Sequence, residues 1–159
     1  MSFKDQGKGY LDPRTTTHID ELYKWKHGEY FPPIVAEVNA TAHCNQSCPL
    51  CYVKGKTKGT LKNVSRVLDS LEAGGVKAVM FQGTGEPFLN KELPAAIEKT
   101  NLDVTVTTNG VLFTPEIQNR ILDKLGYVKF SMLDSSPTRY AKVHGCDESQ
   151  WKTVIHNIR

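Results

Sequence analysis

Four short apolar runs, each followed by a stretch of helical periodicity, limit what this chain can become. The runs cover residues 34–39, 76–81, 102–107 and 128–133. Their β-branched and aromatic content marks buried strands. Leu61, Val64, Val67, Leu68 and Leu71 recur at helical spacing after the first run, and Gly74-Gly75 stops them. A helix over residues 92–100 follows the second run, with Leu93 and Ile97 facing in. Thr114-Pro115-Glu116 starts a third helix, with proline just inside, whose face is Ile117, Ile121, Leu122 and Leu125. Asp147, with Gln150 three residues on as in a capping box, starts the last helix, and Ser149 is the alternative start. Its inward face is Trp151, Val154, Ile155 and Ile158. A shorter helix over residues 17–26 precedes the series. Asp20 and Glu21 suit its positive end, Ile19, Leu22, Tyr23 and Lys26 share a face, and Gly28 ends it. Tyr23, Trp25 and Trp151 read as packing aromatics.

Strand–helix alternation with short buried strands predicts a parallel sheet in an α/β fold of about four βα units. In such sheets the loops after the strands gather at the carboxyl edge. Here those loops hold Cys44 to Cys51, Gly83 to Pro87, Thr107 to Gly110 and Ser131 to Ser136. Every chemically unusual stretch of the chain therefore falls on one edge.

The first of these loops is the most specific. Cys44, Cys48 and Cys51 are three of the four cysteines, spaced Cys-x3-Cys-x2-Cys. Cysteine ligates iron–sulfur clusters and structural zinc. Three ligands on one loop leave one position of an inorganic centre open to an exogenous ligand. Structural zinc needs a closed tetrahedron, and no second Cys or His pair is placed in sequence to close it. His43 directly precedes Cys44, while His144 and Cys146 are distant in sequence but could reach the same edge. In Gly83-Thr84-Gly85-Glu86-Pro87, glycines let the backbone approach a neighbour closely, and Glu86 offers an anion suited to an ammonium group. A tight strand-to-helix turn is the other reading of that loop. It matches neither a Walker loop nor a dinucleotide-binding glycine pattern.

Composition narrows the partners. The net charge of +3 over 159 residues is too small and scattered to argue for nucleic acid. The densest basic stretch, Lys54 to Lys62, reads as a solvated loop. There is no run of about 18 apolar residues for a membrane span, and the polar N-terminus lacks the apolar core of a signal peptide. A cytoplasmic location is expected, where clustered cysteines serve metal or redox chemistry rather than disulfides.

Taken together these motifs resemble the radical SAM superfamily. Cys44, Cys48 and Cys51 match its cysteine hallmark after the first strand, with Leu50 where an aromatic residue is usual and Tyr52 just after. Thr84 to Pro87 match its Gly-Gly-Glu-Pro signature, with Thr84 for the first glycine. Thr108-Asn109-Gly110 after the third strand and Ser131 on the fourth also match. The resemblance covers residues 32–159, leaving residues 1–31 as a helical extension. It implies a partial (β/α) barrel that stops two βα units short of the usual six. It further implies a site-differentiated [4Fe–4S] cluster on Cys44, Cys48 and Cys51, whose fourth iron takes the amino and carboxylate groups of S-adenosylmethionine (SAM). Gly83, Thr84, Gly85 and Glu86 would contact the methionine amino group, and Ser131 the ribose or carboxylate. Leu50 or Tyr52 would lie against the adenine. Asn109 would sit near the cofactor or serve the turn, the turn being favoured. The implied reaction is reductive cleavage of SAM to a 5′-deoxyadenosyl radical that abstracts hydrogen from a peptide or small-molecule substrate. The electron would come from a donor such as flavodoxin or ferredoxin. The alternative function is a non-catalytic zinc or iron–sulfur scaffold.

Overall fold

The computed structural model describes residues 19–53 and 59–159. Thr17, His18 and most of the basic stretch after Val53 lie outside the described residues. Helix α1 spans Ile19–Lys26, and strand β1 spans Val35–Val38. Helix α2 is Val64–Ala73, β2 is Ala78–Phe81, and α3 is Leu93–Lys99. Strand β3 is Asp103–Thr108, α4 is Pro115–Ile121, and β4 is Leu125–Phe130. Two further helices close the described chain, α5 at Pro137–His144 and α6 at Ser149–Ile158.

All four strands are parallel, in the order β1-β2-β3-β4, and the sheet is not closed. The architecture is thus the α/β, partial-barrel arrangement expected from the alternation. Strands β2 and β3 lie inside the sheet, and their Val79, Phe81, Val104 and Val106 are almost wholly buried. The core is completed by Val64 and Leu68 of α2, Leu93 and Ile97 of α3, and Ile121 of α4. Burying each such side chain contributes about 1.5–3 kcal/mol. Among the described residues no helix is long and apolar enough to cross a membrane.

Capping ties these elements to one another. Asn63 precedes α2 in the left-handed region, with φ 55°, and its own side chain caps nothing. The carboxylate of Glu92, from the foot of α3, accepts the Val64 N–H at 3.2 Å instead. Asn90 donates to the carbonyls of Ala40 and Leu61, both at 2.9 Å, and so pins the chain on either side of the cysteine loop.

The structure departs from the periodicity in several places. Helix α4 ends at Ile121 and tightens into a 3₁₀ turn over Leu122–Lys124. Leu125 therefore opens β4 instead of facing the core from α4, and Leu122 is exposed. Strand β4 begins three residues earlier than the apolar run suggests. Its register is set by pairing with Val104–Thr108, and after Phe130 the chain leaves the ladder once the Ser131 N–H has bonded the Thr108 carbonyl. Residues 137–144 form α5, a helix the apolar pattern missed because only Tyr140 and His144 are buried on it.

Helix α1 fully buries no residue, and Tyr23 and Trp25 are exposed rather than packed. Tyr23 instead lies against His27, ring centroids 4.2 Å apart and planes tilted by 44°. Helix α6 starts at Ser149, the alternative start, after Glu148, whose side chain caps nothing; Asp147 lies one residue earlier, its carboxylate accepting the Ser149 N–H at 2.8 Å. Gln150 is turned elsewhere, accepting from Gln46, so no reciprocal capping box is needed. Val154 of α6 is buried, but Ile158 is exposed at the last turn.

Candidate cofactor site at the carboxyl edge of the sheet

The loops after all four strands converge on one cavity of about 500 Å³. All eleven residues singled out as candidate ligand contacts line it: the three cysteines, Leu50, Tyr52, Gly83 to Glu86, Asn109 and Ser131. Leu50 and Tyr52 are among the most exposed large side chains of the protein.

Glu86 anchors the inner wall. It sits at the end of β2, its relative exposure is 1%, and its carboxylate is held by three donors. Oε1 accepts from the Thr108 hydroxyl at 2.7 Å and the Phe88 N–H at 3.3 Å. Oε2 accepts from the Asn109 N–H at 2.7 Å. Burial raises the Glu86 carboxyl above the ordinary glutamate range, and these three hydrogen bonds oppose it. A carboxylate has about four acceptor positions, so these contacts leave capacity on Oε2 for one further donor.

The glycines beside Glu86 approach protein, not open space. A Cβ on Gly85 would run into the backbone carbonyl of His43 and, at 2.5 Å, that of Thr41. The Glu86 N–H reaches the same His43 carbonyl at 2.8 Å. Gly83 has φ 115° and faces the side chain of Asn39, whose Oδ1 accepts the Thr84 N–H at 3.1 Å. Close backbone approach is therefore realised between the Gly83–Gly85 loop and the cysteine loop. Asn109 is a turn residue, its Oδ1 accepting the Val111 N–H at 3.1 Å. At the same time its Nδ2 donates to Asn45 Oδ1 at 2.6 Å and lies 3.9 Å from Cys44 Sγ. One side chain thus joins the turn after β3 to the cysteine loop.

The cysteines form the outer wall. Cys44 and Cys51 are exposed and Cys48 is half-buried, and none of them forms a disulfide. Burial around its sulfur raises the Cys44 thiol above the ordinary range, opposed first by the backbone at Gln46. Among the described residues, no three His, Cys, Asp or Glu side chains already converge on a metal-sized point. What the three thiols share is the cavity. Cys146 is not part of its lining, whereas His43 and His144 are, so three soft sulfurs face the space beside two imidazoles. Three thiols on one loop suit an inorganic centre with an open position.

A polar cluster centred on Gln46 fixes this outer wall. Gln46 Nε2 donates to Tyr140 Oη and to Gln150 Oε1, both at 3.0 Å. Its Oε1 lies 2.9 Å from His144 Nδ1. His144 is almost wholly buried, stacks on Tyr140 with ring centroids 4.1 Å apart, and lines the cavity. Burial pushes its imidazole below the ordinary histidine range. The Ser47 N–H donates to the His144 carbonyl at 3.0 Å, and a Cβ on Gly145 would strike the Ser47 carbonyl. Cys146 belongs to this cluster through Gln46 Nε2, 3.9 Å from its Sγ. His144 and Cys146 were expected to be able to reach this edge, and they do; Gln46 gave no signal, because polar loop residues are too common for one to stand out.

Residues 38–159 match the radical SAM superfamily, and the chain belongs to it. Among relatives, the chain is 26% identical over 127 residues to a probable GTP 3',8-cyclase of Methanococcus vannielii, covering 74% of this chain and 42% of that one. It is 27% identical over 131 residues to the GTP 3',8-cyclase of Desulforamulus reducens, covering 74% and 40%. Among solved structures, Streptococcus suis SuiB bound to S-adenosylmethionine superimposes with a TM-score of 0.63 at 21% identity, covering 93% of this chain and 37% of that one. The same enzyme bound to its precursor peptide SuiA gives 0.62 at 20% identity, covering 99% and 38%. The chain thus spans less than half the length of each of these relatives.

Proposed function

We propose that this chain is the core of a radical SAM enzyme whose cofactors occupy the cavity between the cysteine loop and Glu86. One observation carries the reading: three thiols, a buried carboxylate and Ser131, from the ends of three different strands, line a single cavity. Cys44, Cys48 and Cys51 would hold a [4Fe–4S] cluster. Glu86 has one acceptor position left after its three internal hydrogen bonds, and it would take the methionyl ammonium of SAM with Gly83, Thr84 and Gly85 around it. Ser131, fixed by its N–H on the Thr108 carbonyl, would meet the ribose or carboxylate. Leu50 and Tyr52 are exposed on the cavity rim and offer the apolar surface an adenine needs. Bound there, the two cofactors would supply reductive cleavage of SAM and radical hydrogen abstraction from substrate.

The substrate would be a peptide or a small molecule, with the electron from a donor such as flavodoxin or ferredoxin. SuiB bound to its precursor peptide supports the first class, and the relatives named GTP 3',8-cyclase support the second. The protein's own part is to orient SAM through Glu86 and Ser131 and to exclude water from the inner wall.

The test is anaerobic reconstitution with iron and sulfide, followed by SAM and dithionite. The expected results are a brown protein, visible absorption lost in a Cys44→Ala/Cys48→Ala/Cys51→Ala variant, and 5′-deoxyadenosine by mass spectrometry. A colourless protein carrying one tight zinc per chain would sink the proposal.

A further inference from the structure

His144 sits where the mechanism above gives it no task, yet its hydrogen bonds fix which ring nitrogen carries a proton. The Leu133 backbone N–H points at Nε2, 3.4 Å away. A backbone amide can only donate, so Nε2 accepts and bears no proton. The neutral ring must then carry its proton on Nδ1. The Gln46 contact agrees independently. Gln46 Nε2 is committed as donor to Tyr140 and Gln150, so its Oε1, 2.9 Å from Nδ1, is an acceptor. The same Nδ1 lies 3.7 Å from Cys48 Sγ. The Nδ1–H is therefore shared between an amide oxygen and the sulfur of the middle cysteine.

We propose that His144 is a positioning residue for Cys48, whose Nδ1–H···S hydrogen bond raises the reduction potential of the centre held there. The inference rests on the reading that Cys44, Cys48 and Cys51 ligate an iron–sulfur cluster. The physical reason is direct. A cluster gains one negative charge when one electron arrives from a donor such as dithionite. A donor hydrogen beside one of its thiolates stabilises that added charge more than the oxidised state. Gln46 and the Leu133 amide hold the ring so that the proton stays on the nitrogen facing sulfur. Stacking on Tyr140 fixes the ring plane.

The experiment is a redox titration of the reconstituted protein followed by electron paramagnetic resonance. His144→Met fills much of the ring's volume and removes the donor. His144→Asn keeps an N–H donor near the Nδ1 position. The expected result for His144→Met is a shift to more negative potential. It corresponds to about a tenfold fall in the reduced-to-oxidised ratio at fixed potential, roughly 59 mV for a one-electron couple. His144→Asn should recover most of the loss, which a purely space-filling role would not do. Equal potentials in the wild type and His144→Met overturn this inference while leaving the cluster reading intact. A wild-type chain that forms no cluster overturns both. If His144→Met does not fold, the same question is answered on the His43→Gln protein with ring-¹⁵N histidine. Its reduced cluster should show a ¹⁵N hyperfine coupling in pulsed resonance, and absence of that coupling overturns the proposal.

Discussion

The two walls of the cavity are built by opposite means. The inner wall, around Glu86, is buried and made from the loops at strand ends, and its carboxylate is paired with two backbone N–H groups and the buried Thr108 hydroxyl. The outer wall is an irregular loop with exposed thiols, held by side chains from α5 and α6. The difference teaches where rigidity is supplied. A buried carboxylate must arrive with its partners in place, because an unpaired one is costly. Thiols that await a cofactor need only a frame, and Gln46 and His144 give it.

Breaking the inner wall should cost the most. Glu86→Ala strands the Thr108 hydroxyl and two backbone N–H groups in a dry site. A loss of about 3 kcal/mol in urea-denaturation stability is expected. The pH dependence has a definite sign. Because burial raises the Glu86 carboxyl, its contribution to stability is fully present below the ordinary glutamate range. It declines as pH rises through the raised value. Glu86→Gln should flatten that slope when denaturation midpoints are compared across acid and neutral pH. A steeper slope in the variant would reverse the assignment.

Gly85→Ala attacks the seam between the walls. The added methyl meets two backbone carbonyls, so about 2–3 kcal/mol of destabilisation is expected, readable as a fall in melting temperature. An alanine tolerated without loss would show that the loops can part. Gln46→Leu breaks only the outer wall. It should cost about 1–2 kcal/mol while changing iron and sulfide content after reconstitution more than Glu86→Gln does. Equal cofactor content in the two variants would erase the contrast between the walls.

The smallest effect belongs away from both, at the surface pair Arg120–Glu98, bidentate at 2.9 Å between α4 and α3. Hydrogen bonding to Arg120 lowers the Glu98 carboxyl. Its stabilisation is therefore present above the ordinary glutamate range and fades as pH falls through the lowered value. Glu98→Gln should leave the melting temperature nearly unchanged at neutral pH, because exposed pairs contribute little.

How much of this was legible in sequence differs between the walls for a physical reason. The sheet order and the edge on which the loops gather follow from alternating apolar runs, since burial of Val79, Phe81, Val104 and Val106 is a local pattern with a large energy behind it. The three cysteines and Glu86 stood out because their types and spacing are rare. Gln46 and Tyr140 did not, and His144 was placed near the edge without its partners. Their pairing spans 94 to 98 residues, and the helix that carries two of them has a mostly polar surface. The start of β4 was displaced because the strand is set by its ladder to β3 rather than by its own side chains. The packing role given to Tyr23 and Trp25 failed because large aromatics suggest burial only when a neighbour covers them, and both side chains stay exposed on α1.

The long span between Gln46 and its anchors also has a consequence in time. The sheet is ordered as it is synthesised, each strand pairing with the one just before it. The cysteine loop follows the first strand, yet Tyr140 lies 94 residues further on. At roughly 5–20 residues per second, that loop waits on the order of 5 to 20 seconds on the ribosome before its frame exists. A nascent polypeptide halted before α5 would present the same three thiols without the partners that hold their loop in place.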